Sequence, residues 1–276
     1  MDNFVCVSKK ESSSKLKEVD KDFWQDLRRF TSARIALGHC GASMPTTEYL
    51  NFSLDHARAR DAVHLPFQKE LVRDKLVRMG LQTIDVHSLA DNRSVYLINP
   101  DKGRRLNEES CDRLREFNSS GYDVVLVIAD GLSSKAVHKQ AVPLIGHLLP
   151  YLKKLKLSVA PIVLAEQSRV ALGDEIAELL RGKLVAILIG ERPGLSSPDS
   201  LGVYMTWNPK VGRLESERNC ISNVRPEGLN YDKAAFKMAW LMEAAFESSC
   251  TGIGLKDQSD DPECYRLLRP MNLLEK

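Results

Sequence analysis

Three stretches of this 276-residue chain combine residues able to do chemistry with glycines that let a backbone approach a ligand: A-D-G-L-S-S at 129–134, A-E-Q-S-R-V at 165–170 and G-E-R-P-G-L-S-S-P-D-S-L-G at 190–202. The last places three glycines, two prolines, three serines and a Glu-Arg pair directly after the most apolar run of the chain. Connections in compact domains run about 4–6 residues, and irregular ones much longer than that are usually functional or disordered. Such a loop asks for a ligand or a partner. The first stretch reads as a strand, a glycine and a serine-capped helix, whose free N–H groups suit a phosphate. It fits neither G-x-G-x-x-G nor G-x-x-x-x-G-K-[ST], so NAD or ATP binding by a standard fingerprint is not supported and an ordinary capped helix is the favoured reading.

Other reactive types lead nowhere in particular. G-L-S-S-P sets a serine near a strand end, but it is not G-x-S-x-G, and all six histidines lie at or before position 147, so no base follows it. His56 and His64 are eight apart, on one helix face two turns on, with no further ligand at i+4. That pattern reads as a polar helix face rather than a metal site. Asp85-Val86-His87-Ser88-Leu89-Ala90 approaches the D-x-H-x-x-G motif by which some B12 proteins replace the cobalt's lower base with histidine, but it ends in alanine. His87 is therefore expected on a surface turn. The six cysteines, at 6, 40, 111, 220, 250 and 264, form no C-x-x-C pair and are expected as reduced thiols. No catalytic acid, base, nucleophile or metal ligand is assigned.

The elements that must position the three stretches fall into two halves. From Lys21 to about Ser119 the signals are mainly helical. A helix follows Pro45, with Thr46 or Thr47 as N-cap and Leu50, Leu54 and Ala57 at i, i+4 and i+7. A second spans Phe67–Met79, with Gly80 as the left-handed residue that ends it. S-V-Y-L-I-N-P-D-K-G-R-R reads as a strand and turn, and Asn107–Phe117 as a polar helix. After Gly121 the apolar runs Y-D-V-V-L-V-I-A-D, S-V-A-P-I-V-L-A-E and K-L-V-A-I-L-I-G-E suit parallel strands buried on both faces. Helices are expected from Ser133 or Ser134 to Leu155 and over Leu172–Leu180, then a fourth strand V-Y-M-T-W and a last helix over Asp232–Glu247. The expected fold is α/β: a Rossmann-like or flavodoxin-like doubly wound domain behind a mainly helical one. In open sheets of that kind, ligands bind beyond the carboxyl ends of the strands, which is where the three stretches lie.

Bulk composition narrows the partners. Lys+Arg 39 against Asp+Glu 37 leaves a formal charge of +2, which gives no reason to expect nucleic acid or a membrane surface. Runs such as Val124–Ala129 are far below the roughly 18–20 residues of a spanning helix. Residues 1–18 lack the apolar core of a secretory signal and are expected, within an arm over 1–20, to be mobile and charged. A cytoplasmic protein is implied.

The stretches T-S-A-R-I-A-L-G-H-C-G-A-S-M-P-T, L-D-H-A-R-A-R-D-A-V-H, V-I-A-D-G-L-S, R-V-A-L-G-D-E-I, L-I-G-E-R-P-G-L-S-S-P-D-S-L-G, E-R-N-C-I-S-N-V-R-P-E-G-L and G-I-G-L-K-D, in this order, closely resemble the small subunit family of ethanolamine ammonia-lyase, from about Phe30 to Asp257. The resemblance implies a subunit of a hetero-oligomeric adenosylcobalamin enzyme that converts ethanolamine to acetaldehyde and ammonia. It also implies a TIM-barrel large subunit that carries the substrate pocket, with the small subunit covering the cofactor's lower, nucleotide side. Cofactor contacts are implied at Val170, Glu191 and Cys220, and Arg169 is a further candidate near the nucleotide phosphate. The division would then be an arm at 1–20, a mainly helical domain at 21–120 and a cobalamin-contacting domain at 121–276. Work inside a bacterial microcompartment is implied as well. Against this stand two other readings, a nucleotide-responsive interaction module and a free-standing Rossmann-like oxidoreductase. Retention of a cobalamin chromophore separates the first reading from both.

Overall fold

The apolar runs form the centre of a six-stranded sheet. The computed structural model describes residues 19–117 and 121–261; the expected arm lies outside them up to residue 18. The strands β1 (Thr83–His87), β2 (Tyr122–Ala129), β3 (Ile162–Glu166), β4 (Gly182–Gly190), β5 (Leu201–Trp207) and β6 (Arg218–Val224) take the spatial order β1-β3-β2-β4-β5-β6. The pairs among β1 to β4 are parallel, while β4–β5 and β5–β6 are antiparallel. The fold is therefore mixed α/β with a mostly parallel sheet.

Helices α1 (Thr46–His64), α2 (Lys69–Arg78), α3 (Arg93–Ile98), α4 (Glu108–Glu116), α5 (Ser134–Lys154), α6 (Leu172–Leu179) and α7 (Tyr231–Ser248) complete the pattern. Val124, Leu126 and Ile128 of β2 share a core with α2, α5 and α7. Val125, Val127 and Ala129 share another with α4 and α6. Successive strand residues point to opposite faces, so a strand covered on both must be apolar throughout. Burying each Val, Leu or Ile side chain contributes about 1.5–3 kcal/mol, which makes this sheet the main source of stability. Polar caps set the helix starts: Asn107 accepts from Ser110 N at 2.9 Å, Ser133 from Ala136 N at 3.2 Å and Asn230 from Lys233 N at 3.0 Å. Gly80 ends α2 at φ +78°, as its position predicts.

Two expectations need correction. The strand expected at S-V-Y-L-I-N is helix α3, because Asn92 caps it, accepting from Val95 N at 3.0 Å, and Pro100 stops it two residues on. The strand of this region is β1 instead, whose Thr83, Asp85 and His87 alternate with buried Ile84 and Val86. His87 is consequently a strand residue, half-buried, with its ring Nδ1 2.8 Å from the Ser88 carbonyl, and not a turn residue. At the end of α6 the left-handed residue is Arg181, at φ +52°, and Gly182 already begins β4. Strand β6 was not foreseen, because its residues Arg218, Asn219, Ser222 and Asn223 mask the alternation.

The chain divides into two compact units, Met1–Ala57 and Arg58–Lys276. Within the described part of the first, Asp22 caps a 3-10 helix over Phe23–Phe30 that buries none of its residues. The start of α1 follows, with Arg34 paired to Asp55 and Arg28 to Glu48. The second unit holds the whole sheet.

Candidate functional site: a crevice at the carboxyl ends of the parallel strands

Neighbouring strands β2 and β4 send their connections in opposite directions across the sheet, β2 to β3 and β4 to β5. The loops after them must part, and a crevice opens where they do. It measures about 380 Å³ and is walled by Leu132 after β2, Arg169 and Val170 after β3, and Glu191 and Arg192 after β4, with Tyr96 from α3 and Tyr204 from β5. Three of the four site residues expected from the sequence thus share one cavity.

Glycines let the β2 and β4 loops meet. A side chain at Gly131, which has φ +56°, would collide with the Gly190 carbonyl, and one at Gly190 with the carbonyls of Ser133 and Asp130. The contact is a hydrogen bond from Leu132 N to Gly190 O at 2.9 Å. The long loop from Gly190 to Leu201 is a hairpin connection anchored from α5. Ser133 Oγ donates to Pro198 O at 2.8 Å, Gln140 Nε2 to Asp199 O at 3.1 Å, and Lys139 pairs with Asp199 at 2.7 Å.

Glu191 is half-buried. Its Oε2 accepts from Ser200 Oγ and from Asn223 N, the latter at 3.3 Å, so it joins the β4 loop to the end of β6. Asn223 has φ +60°, a left-handed conformation that a non-glycine residue adopts at a cost. Among the described residues neither of these bonds uses Oε1. Val170 is half-buried and packs at the edge of the core formed by α4 and α6. Arg169 is not a solvated cation: its guanidinium lies 4.2 Å from the centre of the Tyr96 ring, Nη2 donates to Tyr96 O at 3.1 Å, and Nε is buried with no partner among the described residues. Arg93 lies against the same ring at 4.7 Å. Tyr96 itself is fully buried and donates to Ser168 O at 3.1 Å; burial pushes its phenol well up, so it stays protonated.

Cys220 is exposed and lies outside the crevice wall, on β6 directly across from Tyr204. Its Sγ is 3.3 Å from Ser222 Oγ. Burial, with further contributions from Cys220 and Glu191, raises the Tyr204 phenol. Tyr204 is therefore the link between Cys220 and the crevice. Tyr96 and Tyr204 were missed by the sequence reading. The signal for Tyr96 was Asn92 at N-cap spacing, and for Tyr204 the alternation of Leu201, Val203 and Met205 with the opposite face.

Asp174 and Glu175 open α6 as the helix dipole favours, yet both have specific partners. Arg218 reaches Asp174 with two bonds of 2.7 Å, each side chain only 1% exposed, and Arg105 holds Glu175 at 2.9 Å. Burial raises the Asp174 carboxyl, opposed by the Arg218 guanidinium. Among the described residues, no group of three or more His, Cys, Asp or Glu side chains is placed to hold a metal ion.

A mixed α/β fold with a mostly parallel sheet and a crevice at its strand ends defines the class of the chain. Within that class, the chain belongs to the ethanolamine ammonia-lyase light chain (EutC) family, whose pattern matches residues 21–256. An ethanolamine ammonia-lyase small subunit of Azotobacter vinelandii is 52% identical over 240 residues, covering 86% of this chain and 89% of its own. Proteins of the same name from Rhodopseudomonas palustris and Pseudomonas fluorescens are 51% and 49% identical, covering 85% and 88% of this chain and 90% and 91% of their own.

Proposed function

We propose that this chain is the small subunit of an adenosylcobalamin-dependent ethanolamine ammonia-lyase, which converts ethanolamine to acetaldehyde and ammonia only as a complex with its large subunit. The carrying observation is that the family match spans the loops lining the crevice, with Val170, Glu191 and Arg169 in one wall system. Adenosylcobalamin, when bound, supplies the radical chemistry; the protein supplies placement and electrostatics.

The residues present fit such a group. The corrin's amide side chains need donors and acceptors at close range, and the ribose-phosphate tail needs a cation. Glu191 Oε1 is proposed to accept from a corrin amide or a ribose hydroxyl while Oε2 keeps the loop in place. Arg169 carries a buried Nε that has no partner among the described residues, a donor suited to the nucleotide phosphate. Val170 offers apolar surface and main-chain polarity near the lower base, and Cys220 is proposed as a cofactor-side contact next to Tyr204. A crevice of about 380 Å³ lies near the lower end of the roughly 300–1,000 Å³ that hold drug-sized ligands. Cobalamin is much larger, which supports a half-site completed by the large subunit, where ethanolamine would bind.

The doubly wound, Rossmann-like or flavodoxin-like assignment is supported by the two cores on opposite faces and by the reversal of connections at β2 and β4. A division of labour at about residue 121 is proposed likewise, with 121–276 supplying most cofactor contacts and 21–120 adding Tyr96 as the buried support of Arg169. Exposed Phe23, Trp24, Phe30 and Leu50 support docking of the large subunit. Among the described residues no helix is long and apolar enough to cross a membrane. Residence in a bacterial microcompartment rests on the family resemblance, and the arm over 1–17 that would bear on it lies outside the described residues.

The test is co-expression with a large subunit, addition of adenosylcobalamin, and gel filtration followed by protein and corrin absorbance together. Corrin should travel only with the joint complex and not with either subunit alone. A complex without corrin would leave assembly intact and remove the cofactor role, in favour of an interaction module.

A further inference from the structure

Asp130 follows β2 directly and is 1% exposed, yet its side chain is not part of the crevice wall. Its carboxylate gathers donors from three elements. Oδ1 accepts from Gly131 N at 2.9 Å and from Ser168 N at 2.9 Å. Oδ2 accepts from Gln167 N at 2.9 Å and from Arg93 Nη1 at 3.4 Å. The same Arg93 donates to Gly131 O at 2.8 Å and, through Nε, to Val63 O at 2.7 Å. Gln167 sits at φ +52°, a left-handed conformation unfavourable for a side-chain-bearing residue unless its surroundings hold it. The next residues along that loop, Arg169 and Val170, are crevice wall.

We infer that Asp130 is a positioning residue, fixing the backbone of Gly131, Gln167 and Ser168 so that Leu132, Arg169 and Val170 stand in place before any ligand enters. This rests on reading the crevice as a cofactor site, but the positioning itself is a property of the chain. The competing account is a buried carboxylate that serves overall stability alone. Burial lifts the carboxyl up to about 6, opposed by the three backbone N–H groups and Arg93, so the ionised acceptor prevails at neutral pH. Preorganisation of this kind transfers the cost of ordering a loop from the binding step to folding.

The test compares the wild-type chain with Asp130→Asn and Asp130→Ala in two measurements. Hydrogen exchange of the full chain should rise at peptides covering 130–134 and 167–171, more in the alanine variant, while peptides within 184–189 and 203–207 keep their protection. Asn retains one acceptor oxygen, enough for the Gly131 and Ser168 bonds but not for Gln167, so partial rescue is expected. In complex with the large subunit, cyanocobalamin read by visible absorbance should bind about 10-fold more weakly to the alanine variant, and the asparagine one should be less affected, since the loop must then be ordered at the binding step. Exchange that rises evenly over the whole sheet, or stays unchanged at both loops, overturns the inference. Should Asp130→Ala fail to fold, Asp130→Asn and Arg93→Lys carry the same comparison. A wild-type complex that retains no cobalamin would remove the cofactor reading, and the exchange measurement would still decide the positioning.

Discussion

At the carboxyl ends of β2, β3 and β4, polar side chains turn inward to hold backbone, whereas the described part of the amino-terminal unit carries exposed aromatic side chains. Asp130 and Glu191 each accept the N–H of a left-handed residue, Gln167 and Asn223. Phe23, Trp24 and Phe30, by contrast, are 88%, 60% and 74% exposed. The crevice loops are thus held by polar groups of the second unit itself, and the described residues of the amino-terminal unit present aromatic surface instead. A loop becomes a binding wall when its own polar groups are satisfied internally, because it then meets a ligand without reorganising.

The sharpest way to break that contrast is to disturb the interior of the second unit and see it tolerate the change. Arg218→Met leaves Asp174 buried without its guanidinium, and removing one partner of such a pair costs about 3–5 kcal/mol. Asp174→Leu combined with Arg218→Met should recover most of the loss, which urea denaturation of the three variants reads directly. A single loss near zero would mean water reaches the pair. Next in size is Gly190→Ala, whose added carbon would strike two carbonyls of the β2 loop; overpacking of this kind costs about 1–3 kcal/mol. Glu191→Gln is smaller in stability, since one oxygen can still accept from Ser200 and Asn223. Its expected effect falls on cobalamin retention by the complex, and unchanged retention would remove Glu191 from the cofactor contacts.

How much of this was legible beforehand follows from the physics of each element. Strands β2, β3 and β4 were readable because burial on both faces leaves an unbroken apolar run, and α5 because Ser133 caps it. The crevice loops were readable because the carboxyl-end rule needs only strand directions. Strand β1 was hidden by its edge position, where Asp85 and His87 face polar partners. Helix α3 was hidden because Val95, Tyr96 and Ile98 favour strands, and only the Asn92 cap and Pro100 decide otherwise. Asp130 was visible as a residue but not as a hub, since its partners lie 37 and 38 residues away along the chain.

Acidity separates two carboxylates at opposite ends of β2. Burial raises Asp130 up to about 6, so its folded form holds a proton more tightly than the unfolded one at about 3.9. The stability this group contributes is greatest below that unfolded value and falls as pH rises through about 6. The charged and titratable groups facing it are Arg93 and Tyr96 of α3. Asp123 runs the other way. Bonds from Lys183 and Ser158 hold it at about 2, so its contribution is complete above the unfolded value and is lost as pH falls through about 2. Denaturation midpoints between pH 2 and pH 7 should show the wild-type advantage over Asp130→Asn shrinking from about pH 4 to pH 6, and that over Asp123→Asn shrinking below about pH 4. Parallel curves for both variants would mean that neither carboxylate is perturbed by the fold.

The smallest effect on the chain alone is expected where the surface is most apolar. Trp24→Ser and Phe30→Ser remove exposed rings, from a 3-10 helix that buries nothing, so unfolding of the free chain should move by no more than about 0.5 kcal/mol. The same substitutions should weaken association with a large subunit, since an aromatic ring at the centre of an interface can contribute about 2 kcal/mol or more. Paired measurement, by thermal unfolding of the chain and by titration of the complex, keeps the two quantities apart. A free-chain loss well above that limit would show that the amino-terminal unit has an interior of its own, and the contrast with the crevice would fail. Unchanged association would move the docking surface elsewhere on the chain, because these rings would then be exposed in the complex as well.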